Sequence, residues 1–120
     1  MTLVERVDFV SVLTQDLQRA KRSTVTCWGS RSSRKAESDM ELRLGQVTLD
    51  VFDPTSIGQP FAPSPAGLAL RVADVDAARA ELEAKGVVFD GDTIETSVCK
   101  QAWFKDPDGK AFMLHRRYDA

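Results

Sequence analysis

The chain has 120 residues, enough to bury one hydrophobic core and too few for two. With 42% hydrophobic and 28% charged residues and a net charge of −2, its basic residues are scattered among acids, which excludes a dedicated polyanion-binding surface. No apolar run approaches the roughly 20 residues that span a bilayer, the first residues lack a signal peptide's layout, and Cys27 and Cys99 form no Cys-x-x-Cys pair. The expectation is a cytoplasmic protein with two buried thiols and neither nucleic acid nor membrane as partner; the one basic cluster, Lys21-Arg22 with Arg31 to Lys35, reads as a solvated face.

Val7, Phe9, Ser11 and Leu13 alternate with Asp8, Val10 and Val12, which predicts a strand covered on both sides. Asp16 is placed to accept from free amides at a helix start, and Leu17, Ala20 and Thr24 recur at helical spacing, with the helix short or frayed beyond Arg22. Ser23 to Ser30 is rich in β-branched and turn residues, which leaves its state open. Met40 to Leu44 and Val47 to Phe52 flank Gly45-Gln46 as a hairpin.

Residues 54 to 65 form a linker, since residues 53 to 65 hold four of the five prolines, which stiffen the chain and withhold ladder donors. A strand at Leu68 to Val72 then feeds a helix over residues 74 to 85, with Val75, Ala78 and Leu82 on one stripe and Gly86 as C-terminal cap. Three strands follow, around Val87 to Phe89, Cys99 to Lys105 and Ala111 to Arg116. Asp106-Pro-Asp-Gly109 turns the chain between the last two.

The plan is stated twice. Phe9 to Arg22 and Gly67 to Ala80 each run an alternating strand into a capping aspartate, then a helix with Ala and a basic residue at matching places. Each copy opens a β-α-β-β-β unit, about residues 4–53 and 66–118, in a single domain. Two such copies usually pack about a pseudo-twofold axis and set equivalent residues around a shared cleft.

The duplicated units, Val72-Ala-Asp-Val-Asp-Ala-Ala78 and the closing Trp103-Phe-Lys-Asp-Pro-Asp-Gly-Lys-Ala-Phe-Met-Leu-His115 resemble the vicinal oxygen chelate superfamily, which includes glyoxalase I, bleomycin-resistance proteins and extradiol dioxygenases. The resemblance is weak from Ser23 to Glu41. It implies an α+β fold whose two units form a cup-shaped open barrel, with helices on the convex side, a ligand cavity on the concave side and, for chains of this length, a homodimer. With Val10, Val12, Leu68, Leu70 and Val72 beneath the helices, alternation points Phe9, Ser11, Gly67, Ala69 and Arg71 into the cup.

The superfamily's enzymes hold a divalent ion with His, Gln or Glu on the first strand of each unit and Glu on the last. Carried over, those positions are Phe9, Gly67, Leu49 (four after Gly45) and Met113 (four after Gly109), and none supplies an oxygen or imidazole donor. The expectation is therefore no metal cofactor. Asp8 and Asp50 are one residue out of register and fall on the opposite faces if Phe9 and Leu49 face the cup, while His115 keeps the parity of Met113.

What remains is an apolar, aromatic lining for a flat or greasy molecule: Phe9, Ser11, Leu49, Gly67, Arg71, Trp103, Met113 and His115, with Val47 and Val51 beside them. Those side chains could instead close on one another as core. Arg71 suits an anionic group on a ligand, or a salt bridge to a neighbouring acid. Cys99, next to Lys100, is either a reactive thiol or an inert buried one; Trp28 is either a lid or packing.

The function expected is metal-independent binding of a small, largely apolar organic molecule, as in antibiotic sequestration. The alternative is a lyase, isomerase or dioxygenase that uses a displaced metal site or His115 as general base.

Overall fold

The first alternating segment becomes strand β1 (Val10–Leu13) in a computed structural model that describes residues 3–28, 32–35, 39–64 and 66–118. The strand begins later than the alternation, since Val7 is 74% exposed and pairs with nothing in the sheet. Asp16 caps helix α1 (Leu17–Lys21), its carboxylate accepting from the Arg19 amide at 3.1 Å. The helix then widens into a π-helical stretch, Arg22–Cys27. Here the Thr24 hydroxyl donates to the Ala20 carbonyl at 2.9 Å, a bond to the preceding turn that competes with the regular helical ladder. Up to Trp28 the open segment thus continues the helix in widened form, its last two residues lie outside those described, and strand β2 is Ser32–Lys35.

Strands β3 (Asp39–Leu44) and β4 (Val47–Phe52) form the expected hairpin, with Gly45 taking the left-handed φ of +63° that its two-residue turn needs. Strand β4 also runs parallel to β1, so the sheet order is β1-β4-β3-β2. Val12, Met40, Leu42, Leu49 and Val51 share the face covered by α1, and each is at most 3% exposed. A single 3-10 turn, Pro54–Ile57, capped by Asp53, follows within the proline-rich stretch.

The chain divides between Ala62 and Pro63 into two compact units, and the second repeats the plan of the first. It comprises strand β5 (Leu68–Arg71), helix α2 (Val75–Ala84), and strands β6 (Ile94–Glu95), β7 (Cys99–Lys105) and β8 (Ala111–Arg117) in the order β5-β8-β7-β6, with β5 parallel to β8. Asp74 accepts from the Ala77 amide at 3.0 Å, as Asp16 does in the first copy. Beneath α2, Phe104 and Phe112 stack with centroids 5.8 Å apart, and Phe89 tilts against Phe104 at 5.2 Å. Burying each ring contributes about 1.5–3 kcal/mol.

One expected strand is displaced. At Val87 to Phe89 only Phe89 pairs, in an isolated bridge to Phe104, and the edge strand is instead Ile94–Glu95. Arg79 explains the shift: its guanidinium lies 4.8 Å from the Phe89 ring centroid and donates to the Gly91 carbonyl and the Thr93 hydroxyl, drawing this segment onto α2. The Asp106 turn forms as expected. The Asp106 carboxylate accepts from the amides of Asp108 and Lys110 at 3.0 and 2.8 Å. Burial nevertheless raises its pKa above the ordinary 3.8.

No helix among the described residues is long and apolar enough to cross a membrane. The side chains of Cys27 and of the basic cluster from Arg31 to Lys35 lie outside those described.

Candidate functional site

The second sheet buries one face and leaves the other open. Along β7 and β8, Ala102, Phe104, Phe112 and Leu114 are buried, while the alternating Gln101, Trp103, Met113 and His115 are half-buried; on β5, Ala69 and Arg71 are exposed. Register groups the open face into rows. Ala69, Met113 and Trp103 lie side by side across β5, β8 and β7, and the next row along the strands is Arg71, His115 and Gln101. Neighbours within a row are about 4.8 Å apart, and the rows about 6.7 Å. An apolar strip thus runs beside a polar one.

Trp103 dominates the apolar row. A Cβ built on Gly67 would lie 2.6 Å from Cη2 of the indole and nearer still to Cζ3, so only glycine at 67 lets the ring lie where it does. Ala111, the next residue on β8 along this face, is also small. The indole therefore reaches across β8 to the start of β5. Its N–H donates to Gln101 Oε1 at 2.7 Å, and the Gln101 amide nitrogen lies 3.8 Å from the Cys99 sulfur. The ring's angle is thus fixed by its neighbours on the sheet. The space beside Gly67 is therefore filled by Trp103.

Lys110 holds the same corner from below. It is 8% exposed, its ammonium donates to the Ala66 carbonyl and lies 5.7 Å from the Phe112 ring centroid, and burial lowers its pKa below the ordinary 10.5. Cys99 is buried. Lys100, on the opposite face, gives its ammonium to Asp76 at 2.9 Å, so it does not attend the thiol, which lies 3.4 Å from the Thr96 hydroxyl. That geometry favours the inert reading of Cys99.

In the first unit the expected lining is partly wrong. Leu49 is 2% exposed and pairs with Val10 and Leu42 in the core beneath α1, and Val51 lies there too. Asp50 instead shares the face of Ser11, its partner in register, and of Glu41, while Phe9, by alternation on that face, is 48% exposed. The error comes from counting from the turn glycines. Gly45 opens a two-residue turn between Leu44 and Val47, whereas Gly109 sits inside a five-residue loop between Lys105 and Ala111, and the different lengths change strand parity.

Asp50 is therefore the counterpart of Met113. The four positions that correspond to the superfamily's metal ligands become Phe9, Asp50, Gly67 and Met113, which offer one carboxylate and a thioether. Hard and borderline cations take four or more oxygen or nitrogen donors, so this set does not fit them. Among the described residues no three of His, Cys, Asp and Glu gather as a metal site. Of the expected site residues, the structure brings Gly67, Arg71, Trp103, Met113 and His115 together on one face, with Phe9 and Ser11 on the open face of the other unit. Gln101 was missed, though its alternation with Trp103 on one strand was visible.

No family model and no curated protein sequence matches the chain. Solved structures do. TnmS3, an antibiotic binding protein from Streptomyces sp. CB03234, is 28% identical, with 98% of this chain and 99% of its own covered and a TM-score of 0.79. A glyoxalase/bleomycin resistance protein/dioxygenase from Nocardioides is 15% identical over 100% of this chain and 88% of its own, with a TM-score of 0.80. A lactoylglutathione lyase from Agrobacterium tumefaciens is 15% identical over 95% of each chain, with a TM-score of 0.79.

The two β-α-β-β-β units are thus an α+β fold of the glyoxalase/bleomycin-resistance/dioxygenase class. Similarity to these structures runs over nearly the whole chain, and the fold is the one that the resemblance to the vicinal oxygen chelate superfamily implies.

Proposed function

We propose that this protein binds a small, largely apolar organic molecule on the open face of the second sheet, without a metal. The observation that carries this reading is the indole of Trp103, laid against Gly67 and fixed by Gln101, beside Ala69 and Met113. An aromatic platform with a few polar tips suits a flat hydrophobic guest. Binding alone is enough for sequestration, so no reactive group is required. The 28% identity to an antibiotic binding protein supports antibiotic sequestration as the biological purpose. The protein works in the cytoplasm as a homodimer.

The test uses 1-anilinonaphthalene-8-sulfonate as probe. It quenches the emission of Trp103 saturably, and Trp103→Phe removes that part of the signal. At about 100 times its Kd the probe stabilises the fold by about 2.7 kcal/mol, read as a rise in Tm of a single cooperative melt. Chelator leaves both effects unchanged. A probe that neither quenches nor stabilises refutes the reading, and so does binding that chelator abolishes. Sedimentation equilibrium tests the dimer.

A further inference from the structure

We infer that the ligand of this face is a planar aromatic molecule carrying a hydroxyl group, with its rings on the Ala69, Met113 and Trp103 row and its hydroxyl between Gln101 and His115. The inference rests on the small-molecule reading above and names the ligand's chemical class.

Two observations carry it. The first is the arrangement of rows. Ala69 is small, Met113 is an adaptable thioether and the Trp103 ring spans the strands, so the apolar row favours a flat guest over a globular one. The polar row lies about 6.7 Å along the strands, within the length of a two-ring system.

The second observation is the hydrogen-bonding capacity left in the polar row. Arg71 is engaged within the protein. Gln101 spends its carbonyl on the indole N–H at 2.7 Å, and its amide nitrogen lies 3.8 Å from the Cys99 sulfur. That nitrogen carries two hydrogens and only one can point at the sulfur, so one donor is left over. His115 is half-buried, and its imidazole makes no hydrogen bond or ion pair among the described residues. A neutral imidazole has one bare nitrogen, which is an acceptor. Gln101 and His115 are partners in register on strands about 4.8 Å apart. A hydroxyl both accepts and donates, and two bonds of about 2.8 Å meeting at its oxygen span about 4.7 Å. Seated there, it accepts from the Gln101 amide and donates to the His115 ring. A guest of the same shape that lacks the hydroxyl proton covers the imidazole and leaves it unmatched, which weakens binding.

Calorimetric titration of the full chain tests this with three neutral probes: 2-naphthol, its ether 2-methoxynaphthalene, which accepts but cannot donate, and trans-decalin-2-ol, which keeps the hydroxyl but not the plane. The protein is in the syringe, to suit sparingly soluble probes. The expected order has 2-naphthol roughly tenfold tighter than either, which corresponds to about 1.4 kcal/mol. His115→Phe keeps an aromatic ring without an acceptor and removes the preference for naphthol over its ether, whereas His115→Gln, whose amide oxygen accepts, retains part of it. An unchanged Tm verifies that the variants fold, and the order of the probes on the wild type decides without them. If naphthol and its ether bind alike, or a folded His115→Phe leaves their ratio intact, the inference is overturned while the small-molecule reading stands. Decalinol binding as tightly as naphthol overturns the planar requirement. If none of the three binds while 1-anilinonaphthalene-8-sulfonate does, the inference falls and the small-molecule reading stands; if that probe fails as well, both fall.

Discussion

Replacing Gly67 with alanine probes the packing on which the site depends. Gly67 is not among the glycines with positive φ, so the backbone accepts alanine, and the loss of unfolded-state freedom alone would stabilise by about 0.4–1 kcal/mol. The new methyl group would, however, meet the indole of Trp103 at 2.6 Å or less. The ring must swing away, at about 1–3 kcal/mol for a forced overpacking, and it gives up the 2.7 Å bond to Gln101, worth about 0.5–1.5 kcal/mol. Steric loss exceeds the entropic gain, and the net is about 2 kcal/mol of destabilisation. For a chain of this length that is a fall in Tm of roughly 6–10 °C.

Thermal melts of wild type, Gly67→Ala, Trp103→Leu and the double variant form a cycle in which the alanine is harmful only when the indole is present. Emission of Gly67→Ala, with the constant Trp28 contribution subtracted, shifts to the red as the indole leaves the sheet. Equal stability and an unchanged spectrum for Gly67→Ala would refute the reasoning, as would the same loss in the Trp103→Leu background.

Asp74→Ala removes the acceptor of the Ala77 amide and lowers stability by about 1 kcal/mol in urea denaturation. Phe112→Ala, at a position with no exposed surface, costs about 3–5 kcal/mol by the same measurement, far more than any change on the open face. Lys110 gives a pH signature. Because burial lowers its folded pKa below 10.5, the unfolded chain binds the proton more tightly, and stability rises with pH between the lowered value and 10.5. Lys100, raised above 10.5 by Asp76, keeps its contribution across that window, whereas Tyr118, raised above 10.0 by its bond to Glu95, begins to lose its own from 10.0, so the rise is read below pH 10.0. Lys110→Met therefore flattens the rise in Tm with pH; an unaltered profile contradicts the assignment.

Features set by near neighbours in the chain were legible in the sequence. The capping aspartates Asp16 and Asp74, the stripe of α2, the Gly45 hairpin and the Asp106 turn each follow from side chains that satisfy amides or take φ values within a few residues, and their repetition revealed the duplicated topology. On the second sheet, alternation placed Arg71, and the superfamily resemblance placed Met113 with His115 at its parity, on the face that the structure leaves open.

Tertiary structure decided the rest. Whether Leu49 or Asp50 faces outward depends on how β4 pairs with β1 and β3, and a one-residue difference in parity exchanges a core leucine for a carboxylate. The edge strand moved to Ile94–Glu95 because Arg79, on the helix, holds the preceding loop. Gly67 and Trp103 are far apart along the chain, and their contact exists only once β8 lies between β5 and β7. Local propensity carries no information about which strand lies beside which, and that adjacency is what gives the site its floor.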